Sequence, residues 1–263
     1  MIYGEVSKEI IGVIAAGGEA KRIAPLPCSK ELYPIGFRPV DEGRSLRPKV
    51  ACHYLLEKMS LAGISKVYII LRQGKWDIPT YLGDGSLFNM SFAYLMMGLP
   101  FGTPFTLDQT YSFVQNALLA FGFPDIIFKP DDAFVRLLDR QRATNADIIL
   151  GLFPAEQPQK VDMVDIDEDG KVRQILIKPG KTELNYTWCI AVWTPVFTKF
   201  LHENVNACEA SADAWTELSL GNVIQAAIRN RLRVEAVKVS TNPYLDIGTP
   251  EDLAKAVRQY ASE

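Results

Sequence analysis

An apolar segment that runs straight into a glycine-rich loop is the feature that most restricts how this chain can fold. Residues 10–16, IIGVIAA, have the apolar, β-branched character of a buried strand, and residues 17–30, GGEAKRIAPLPCSK, follow without a break. A turn of small residues after a strand can present several backbone N–H groups to one anion. Lys21, Arg22 and Lys30 lie on the same loop and can offset the charge of a polyphosphate. The loop therefore indicates a phosphate site, such as one for a nucleoside triphosphate, although an ordinary turn with a solvated charged rim would have the same composition.

Short apolar runs alternate with helical patterns along the chain, which is typical of an α/β fold built on a mainly parallel sheet. Strands are predicted at residues 11–16, 66–71, 90–95, 125–128, 147–153, 187–193 and 234–239. Helices are predicted at residues 50–62, 107–121, 133–142, 217–229 and 250–260. Residues 161–167 and 172–177 flank an Asp-Gly turn and are predicted to form a hairpin. Because ligands of such sheets bind beyond the carboxyl ends of the strands, we expect the glycine loop and Asp125 in one cleft.

Length and composition limit the class of protein. With 263 residues, 48% of them hydrophobic, we expect a single domain over 1–263, with a nucleotide half at 1–150 and a substrate half at 151–263. A net charge of −3 argues against nucleic-acid and membrane partners, and the apolar runs are too short to span a bilayer. Four cysteines without C-x-x-C spacing favour reduced thiols in a cytoplasmic protein. The chain has two histidines, so it offers few candidates for the histidine of a hydrolase triad.

Two aspartates lie in unusually apolar surroundings. Asp125 is part of GFPDIIF, and Asp246 is part of YLDIGTPED. A carboxylate in an apolar strand is unfavourable unless it is paired or bound to a metal. Mg²⁺ prefers a few carboxylates, with phosphate oxygens and water completing its octahedron. The two acids and the basic loop together fit a magnesium-dependent phosphoryl or nucleotidyl transfer site, and each acid alone also fits a hydrogen-bonded structural role.

The first loop resembles a family signature. The segment VIAAGGEAKRIAPLPCSKELYPIG is similar to that of the sugar-1-phosphate nucleotidyltransferases, which runs L-A-G-G-x-G-T-R-L-x-P-L-T and then, after a short gap, P-K-x-L-L-P-I. The matching residues are Gly17, Gly18, Arg22, Ile23, Pro25, Leu26, Lys30, Leu32, Pro34 and Ile35. GFPDIIF, YLDIGTPEDL and residues 81–103 resemble further segments of the family in the same order, so the resemblance covers nearly the whole chain. It implies a Rossmann-like three-layer αβα fold, the nucleotide-diphospho-sugar transferase fold, with a mixed, mainly parallel sheet.

The resemblance also implies an activity and a site. A nucleoside triphosphate, with dTTP or UTP favoured and CTP as a further candidate, would condense with a sugar-1-phosphate to give a nucleotide-diphospho-sugar and pyrophosphate, as in glucose-1-phosphate thymidylyl- and uridylyltransferases. Asp125 and Asp246 would hold Mg²⁺, while Arg22 would bind the triphosphate and Lys30 would bridge the α-phosphate and the incoming sugar phosphate. The other nucleotide-binding positions are Ala16, Gly17, Gly18, Lys21, Met97, Gly102 and Thr103. The positions for the sugar phosphate are Ile177, Lys178 and Thr187.

Several positions depart from the family pattern. Ala20, Lys21, Ser29 and Cys189 stand where the family has glycine, threonine, proline and glycine. Met97 falls where a glutamine usually binds the base, and a thioether cannot copy that hydrogen bond. Ile177 replaces the glutamate that commonly binds the sugar hydroxyls, which would suit a less polar, deoxygenated or modified substrate. The departures leave the base and the sugar open.

Four other interpretations remain at this point. The chain could be a catalytically weak regulatory or binding paralogue, or it could transfer a nucleotide to a cyclitol phosphate, phosphocholine or a phosphonate. A glycosyltransferase is disfavoured because Asp125 is followed by two isoleucines instead of completing an Asp-x-Asp motif. A Rossmann dehydrogenase is disfavoured because the loop lacks G-x-G-x-x-G spacing. A homo-oligomer is a further expectation, since family members are often oligomers.

Overall fold

Strands and helices alternate through most of the chain, which a computed structural model describes at residues 9–98, 102–209 and 218–260. The strands are β1 (Ile10–Ala15), β2 (Pro34–Val40), β3 (Ser45–Val50), β4 (Lys66–Arg72), β5 (Ser91–Met97), β6 (Leu118–Gly122), β7 (Ile126–Ile127), β8 (Ile148–Pro154), β9 (Met163–Ile166), β10 (Val172–Leu176), β11 (Tyr186–Trp193), β12 (Val234–Lys238) and β13 (Leu245–Asp246). The helices are α1 (Ala51–Leu61), α2 (Asp77–Leu82), α3 (Thr103–Asp108), α4 (Tyr111–Val114), α5 (Ala133–Thr144), α6 (Pro195–Glu209), α7 (Leu220–Arg229) and α8 (Pro250–Tyr260).

The central sheet is mixed and mostly parallel, as predicted. Its main row has the order β12-β8-β11-β6-β1-β4-β5. β1 is parallel to both neighbours, with Ile11 opposite Lys66 of β4 and Leu119 of β6. The pairs β4–β5 and β8–β12 are also parallel, whereas β11 runs antiparallel to β6 and β8. The predicted hairpin is β9–β10, and it joins the sheet where Met163 lies opposite Thr187 of β11.

Helices cover both faces of this sheet and give three layers. Successive side chains of a strand point to opposite faces, and β1 follows this rule. Ile14 packs in a buried cluster with Leu55 of α1 and residues of α5. Val13 packs in a second cluster with Phe197 of α6 and residues of α7. β1 is therefore buried on both sides, which holds its carboxyl end, and the loop that follows, in a fixed position.

One predicted helix is wrong. Residues 107–121 form the end of α3, the short helix α4 and the beginning of β6 instead of one helix. β6 lies between β1 and β11 and is buried along its whole length. A short apolar run such as LLAFG has no periodicity that separates a buried strand from a buried helix. The tertiary position between two strands decides the outcome here.

Other elements differ in extent or were not predicted. The β2–β3 hairpin and α6 have no counterpart in the sequence prediction. In the predicted helix at 217–229, residue 217 lies outside the described residues, and α7 begins at Leu220 after the capping residue Ser219. β8 crosses residue 150, and the division of the chain into two halves there stays a prediction. None of the helices in the described ranges is long and apolar enough to cross a membrane.

The glycine loop bends sharply after β1. Ala20, at the position where the family signature has glycine, has φ +54° in the left-handed region. Its carbonyl oxygen accepts hydrogen bonds from the N–H groups of Ile23 at 3.0 Å and Ala24 at 3.1 Å, which close a turn. A residue with a Cβ is strained in this region, where glycine is not. The loop therefore has the backbone bend that glycine favours, with a residue that fits it less well.

We predict that Ala20→Gly stabilises the protein. The substitution relieves the left-handed strain but adds freedom to the unfolded chain, so we expect the free energy of unfolding to rise by about 0.5–1 kcal/mol in urea titrations. Ala155→Gly is the matched control, because Ala155 is also half-buried in a loop but has no left-handed φ. The control should lose stability, and equal losses in both variants would contradict the account.

Candidate active site

A cleft of about 530 Å³ opens at the carboxyl end of β1. The glycine loop, the start of α3 and the β7–β13 pair form one part of its wall, and the segments around the β9–β10 hairpin and the start of α7 form the other. This is where α/β sheets commonly bind ligands. The predicted site residues that line it are Gly17, Gly18, Arg22, Lys30, Gly102, Thr103, Asp125, Lys178, Thr187 and Asp246.

Four predicted site residues do not line this cleft. Ala16 is buried, and its N–H donates to the carbonyl oxygen of Ile70 in β4. Lys21 is exposed and forms an ion pair with Glu19 at 2.5 Å. Met97 is buried, and its sulfur lies behind Gly17, 3.4 Å from where a Cβ would be. Ile177 is half-buried and packs into the core beside the cleft.

An ion pair between Lys30 and Asp125 lies at the centre of the cleft. The two residues are 95 positions apart in the sequence, and the ammonium donates to Oδ2 of the carboxylate. Burial alone would lower the pKa of Lys30, but the carboxylate of Asp125, helped by Glu31 and Asp246, holds that pKa above its usual range. Lys30 is therefore charged at neutral pH, and it lines the cleft together with Asp125.

Asp246 lies beside Asp125 because β13 pairs with β7. Asp246 is opposite Ile126 in this antiparallel pair, and the N–H of Ile247 donates to the carbonyl oxygen of Asp125 at 3.1 Å. The N–H of Gly248 donates to Oδ1 of Asp246 at 2.8 Å. Burial and then the like charge of Asp125 raise the pKa of Asp246, and the nearby cations Lys30 and Arg22 oppose the shift in part.

The carboxylate pair fits a divalent cation of the magnesium type. The two acids face one cleft, and their mutual repulsion is the kind of charge imbalance that a bound cation would relieve. Within the described ranges no group of three or more His, Cys, Asp or Glu side chains could hold a metal alone. Two carboxylates with open neighbouring space match Mg²⁺, which keeps several water or phosphate ligands.

The neighbours of Lys30 anchor it on both sides. Ser29 donates its N–H and its hydroxyl to the two oxygens of Asp77 at 2.6 and 2.7 Å. Glu31 forms an ion pair with Lys75 at 2.6 Å, and both side chains are less than a tenth exposed. Breaking a buried pair by removing one partner usually destabilises a protein strongly. These contacts hold the backbone of Lys30 in place from Lys75, on the loop after β4, and from Asp77, the first residue of α2. Sequence analysis did not connect either residue with the site.

The start of α3 and the start of α7 meet across the cleft. Gly102 has φ +115°, and a Cβ there would collide with the carbonyl oxygen of Leu218. Ser219 follows and caps α7 by accepting a hydrogen bond from the N–H of Asn222 at 3.1 Å. Only glycine permits this close approach, so the backbone at Gly102 sets the width of the cleft.

Sequence analysis missed several residues of the wall. Asp162, Lys160, Trp188, Ser219 and Tyr244 all line the cleft. Tyr244 lies two residues before Asp246 and could have been found from that spacing. Asp162 had no such signal, because its position depends on how the β9–β10 hairpin packs against α7.

Comparisons with known proteins agree with this arrangement. The model of the nucleotidyl transferase family matches residues 11–263. The low-salt glycan biosynthesis nucleotidyltransferase Agl11 of Haloferax volcanii is 26% identical over 249 residues, and a glucose-1-phosphate thymidylyltransferase of Streptomyces antibioticus is 26% identical over 251. These alignments cover 93% and 94% of this chain, but only 64% and 65% of the two relatives.

Solved structures support the fold. A Bacillus anthracis protein described as a glucose-1-phosphate thymidylyltransferase, solved with sucrose, has a TM-score of 0.79 at 20% identity, covering 97% of this chain and 96% of that one. A UDP-glucose pyrophosphorylase solved with UDP-glucose has a TM-score of 0.76 at 16% identity, covering 96% and 98%. The glycine loop, the paired aspartates and the extent of the family match lead to one conclusion: this chain belongs to the nucleotidyl transferase family.

Proposed function

We propose that this chain transfers the nucleotidyl group of a nucleoside triphosphate to a sugar-1-phosphate and releases pyrophosphate. The observation that carries the proposal is the Lys30–Asp125 pair beside Asp246, in a cleft that Arg22 and Lys178 also line. Cations and a pair of carboxylates that line one cleft suit a site where two phosphate groups meet. The family membership and the names of the relatives support the same reaction.

The reaction needs no general base. The phosphate of a sugar-1-phosphate has a second pKa of about 6, so its oxygen is largely deprotonated at neutral pH. This oxygen attacks the α-phosphorus in line, a new P–O bond forms, and the bond to the leaving pyrophosphate breaks. The described residues that line the cleft include no histidine, which is consistent with catalysis by positioning and charge stabilisation.

Each cationic side chain is assigned to a different part of the two substrates. The N–H groups of the glycine loop and the guanidinium of Arg22 bind the triphosphate and stabilise the departing pyrophosphate. Lys30 lies between the two substrates and stabilises the charge that develops at the α-phosphate. Lys178, exposed on the opposite wall with a left-handed φ of 42°, holds the sugar phosphate.

Asp125 and Asp246 are the residues that would hold Mg²⁺. The ion, when bound, neutralises phosphate charge and orients the α-phosphate for attack. The β7–β13 pairing and the hydrogen bond from Gly248 keep both carboxylates facing the cleft.

The nucleotide that we favour is dTTP or UTP, because the relatives include thymidylyltransferases and the fold neighbours include a UDP-glucose pyrophosphorylase. Met97 lies behind Gly17 and offers no hydrogen bond to a base. Base selection would therefore rest on backbone groups of the glycine loop and of Gly102.

Pyrophosphate release tests the proposal. Each of dTTP, UTP, CTP, GTP and ATP is combined with a panel of sugar-1-phosphates, and also with a cyclitol phosphate, phosphocholine and a phosphonate. Mg²⁺ is present in every reaction. For the wild type we expect release with dTTP or UTP and a sugar-1-phosphate. Lys178→Met removes a cation of the cleft, and we expect it to lower kcat/KM about 100- to 1000-fold. Lys181→Met, an exposed lysine outside the cleft, is the matched control and should behave as wild type. No release by folded wild-type protein would contradict the proposal and favour a non-catalytic paralogue, and release only with another phosphate would contradict the sugar substrate.

Removing one of the paired carboxylates should separate stability from activity. Without divalent cations, Asp246→Asn should melt at a higher temperature than wild type, because partial burial and the like charge of Asp125 both disfavour the carboxylate that it removes. The amide oxygen of the variant can still accept from Gly248. Adding Mg²⁺ with the nucleotide should raise the melting temperature of wild type much more than that of the variant, and the variant should lose activity about 100-fold. The exposed Glu251→Gln serves as the charge-matched control. Equal Mg²⁺ effects on wild type and Asp246→Asn would count against the metal site.

A further inference from the structure

A carboxylate in the cleft wall has no part in the mechanism described so far. Asp162 precedes β9 and lines the cleft with Lys160, Lys178 and Ser219. Its Oδ1 is buried and has no hydrogen-bond partner among the described residues. A buried acceptor without a partner in the protein is unfavourable, and such a group in a native protein calls for an explanation such as a functional role.

Asp162 lies beside Ile177, the position at which the family resemblance places a glutamate. A Cβ at Gly221, in the first turn of α7, would collide with Oδ2 of Asp162 and would lie 2.8 Å from Cδ1 of Ile177. The two side chains therefore meet at the same point of α7. Ile177 replaces the glutamate that the family resemblance places there, and its side chain is turned into the core. Asp162 is the neighbouring residue that brings a carboxylate into the cleft.

The absence of a side chain at Gly221 allows the carboxylate of Asp162 to lie at this point of α7. Any side chain at that position would displace the carboxylate of Asp162, whereas glycine lets it lie directly against the helix. The start of a helix is also a favourable place for a negative charge. Burial raises the pKa of Asp162, and the charge and backbone N–H of Lys178 oppose that shift in part.

The surroundings select the kind of donor. Lys160 and Lys178 line the same wall, and two ammonium groups disfavour a cationic ligand group such as choline. An uncharged hydroxyl has no such repulsion and can donate to the carboxylate of Asp162, which lines the cleft. Asp162 lies close enough to Lys178 to be affected by both its charge and its N–H. The ring of a ligand whose phosphate binds Lys178 would therefore be within reach of the carboxylate.

We infer that Asp162 accepts a hydrogen bond from a ring hydroxyl of the sugar-1-phosphate and takes over the role of the glutamate that Ile177 replaces. The inference rests on the proposed function. It makes Asp162 a specificity-determining residue and assigns the chain a hydroxylated sugar, in place of the less polar substrate that Ile177 alone suggested.

The test combines an altered protein with altered sugars. Wild type, Asp162→Ala and Asp162→Asn are assayed with the preferred sugar-1-phosphate and with its 2-deoxy and 3-deoxy counterparts. For wild type we expect kcat/KM to fall about 10- to 100-fold on one deoxy sugar, because a hydrogen bond to a charged acceptor is lost. Asp162→Ala should lose a similar factor on the parent sugar, keep its KM for the nucleotide, and no longer distinguish the parent from that deoxy sugar.

Two further variants are controls for misfolding and for nonspecific effects of the substitution. Asp162→Asn keeps the side-chain shape and should lose only part of the discrimination, because its amide oxygen is a weaker, uncharged acceptor. Asp165→Ala, on β9 three residues after Asp162 but outside the cleft, should match wild type.

The outcomes separate the two proposals. Wild type that is active but whose discrimination survives unchanged in Asp162→Ala would overturn the role of Asp162 and leave the transferase intact. Turnover of phosphocholine that depends on Asp162 would also overturn it, by showing a cationic ligand. Absence of pyrophosphate release by wild type with every acceptor would overturn the proposed function itself.

Discussion

The site depends on one ion pair that links distant parts of the chain. Lys30 comes from the loop after β1, and Asp125 comes from the end of the β6–β7 connection, so their contact exists only when β1 and β6 lie side by side in the sheet. The pair also balances charge in a partly buried place, where an unpaired ammonium or carboxylate would be unfavourable. Asp246 adds a second carboxylate, and burial and then the like charge of Asp125 raise its pKa, while Lys30 and Arg22 oppose the shift only in part. Two neighbouring carboxylates in a partly buried place are the physical reason to expect a cation there.

The walls of the cleft are set by backbone contacts more than by side chains. Gly102 lies against Leu218, just before α7, and Gly221, in the first turn of α7, lies against Asp162. Each approach requires the absence of a Cβ. Lys75, on the loop after β4, and Asp77, the first residue of α2, hold the neighbours of Lys30 in place through an ion pair and hydrogen bonds. A change in any of these supports would move the charged groups without touching them.

Sequence analysis succeeded where a local pattern decides the structure. The strand before the glycine loop, the hairpin around Asp169-Gly170 and the last helix follow from periodicity and turn residues, and the last helix has the predicted bounds Pro250–Tyr260. It failed at residues 107–121, where a buried strand has no distinctive pattern, and at Asp162, whose role depends on a glycine in a distant helix. The ten predicted site residues in the cleft came from motif positions, whereas Met97 and Ile177 needed knowledge of packing.

The path of one oxygen atom tests the central claim most directly. A sugar-1-phosphate labelled with ¹⁸O at its non-bridging phosphate oxygens is incubated with the protein, Mg²⁺ and dTTP or UTP, and the products are observed by ³¹P NMR. Attack by the sugar phosphate on the α-phosphorus predicts a diphosphate product whose α-phosphorus signal shows the isotope shift of one bridging ¹⁸O, with unlabelled pyrophosphate released. Release of pyrophosphate with an unlabelled nucleoside monophosphate, or transfer of the γ-phosphate with a nucleoside diphosphate left behind, would contradict the account.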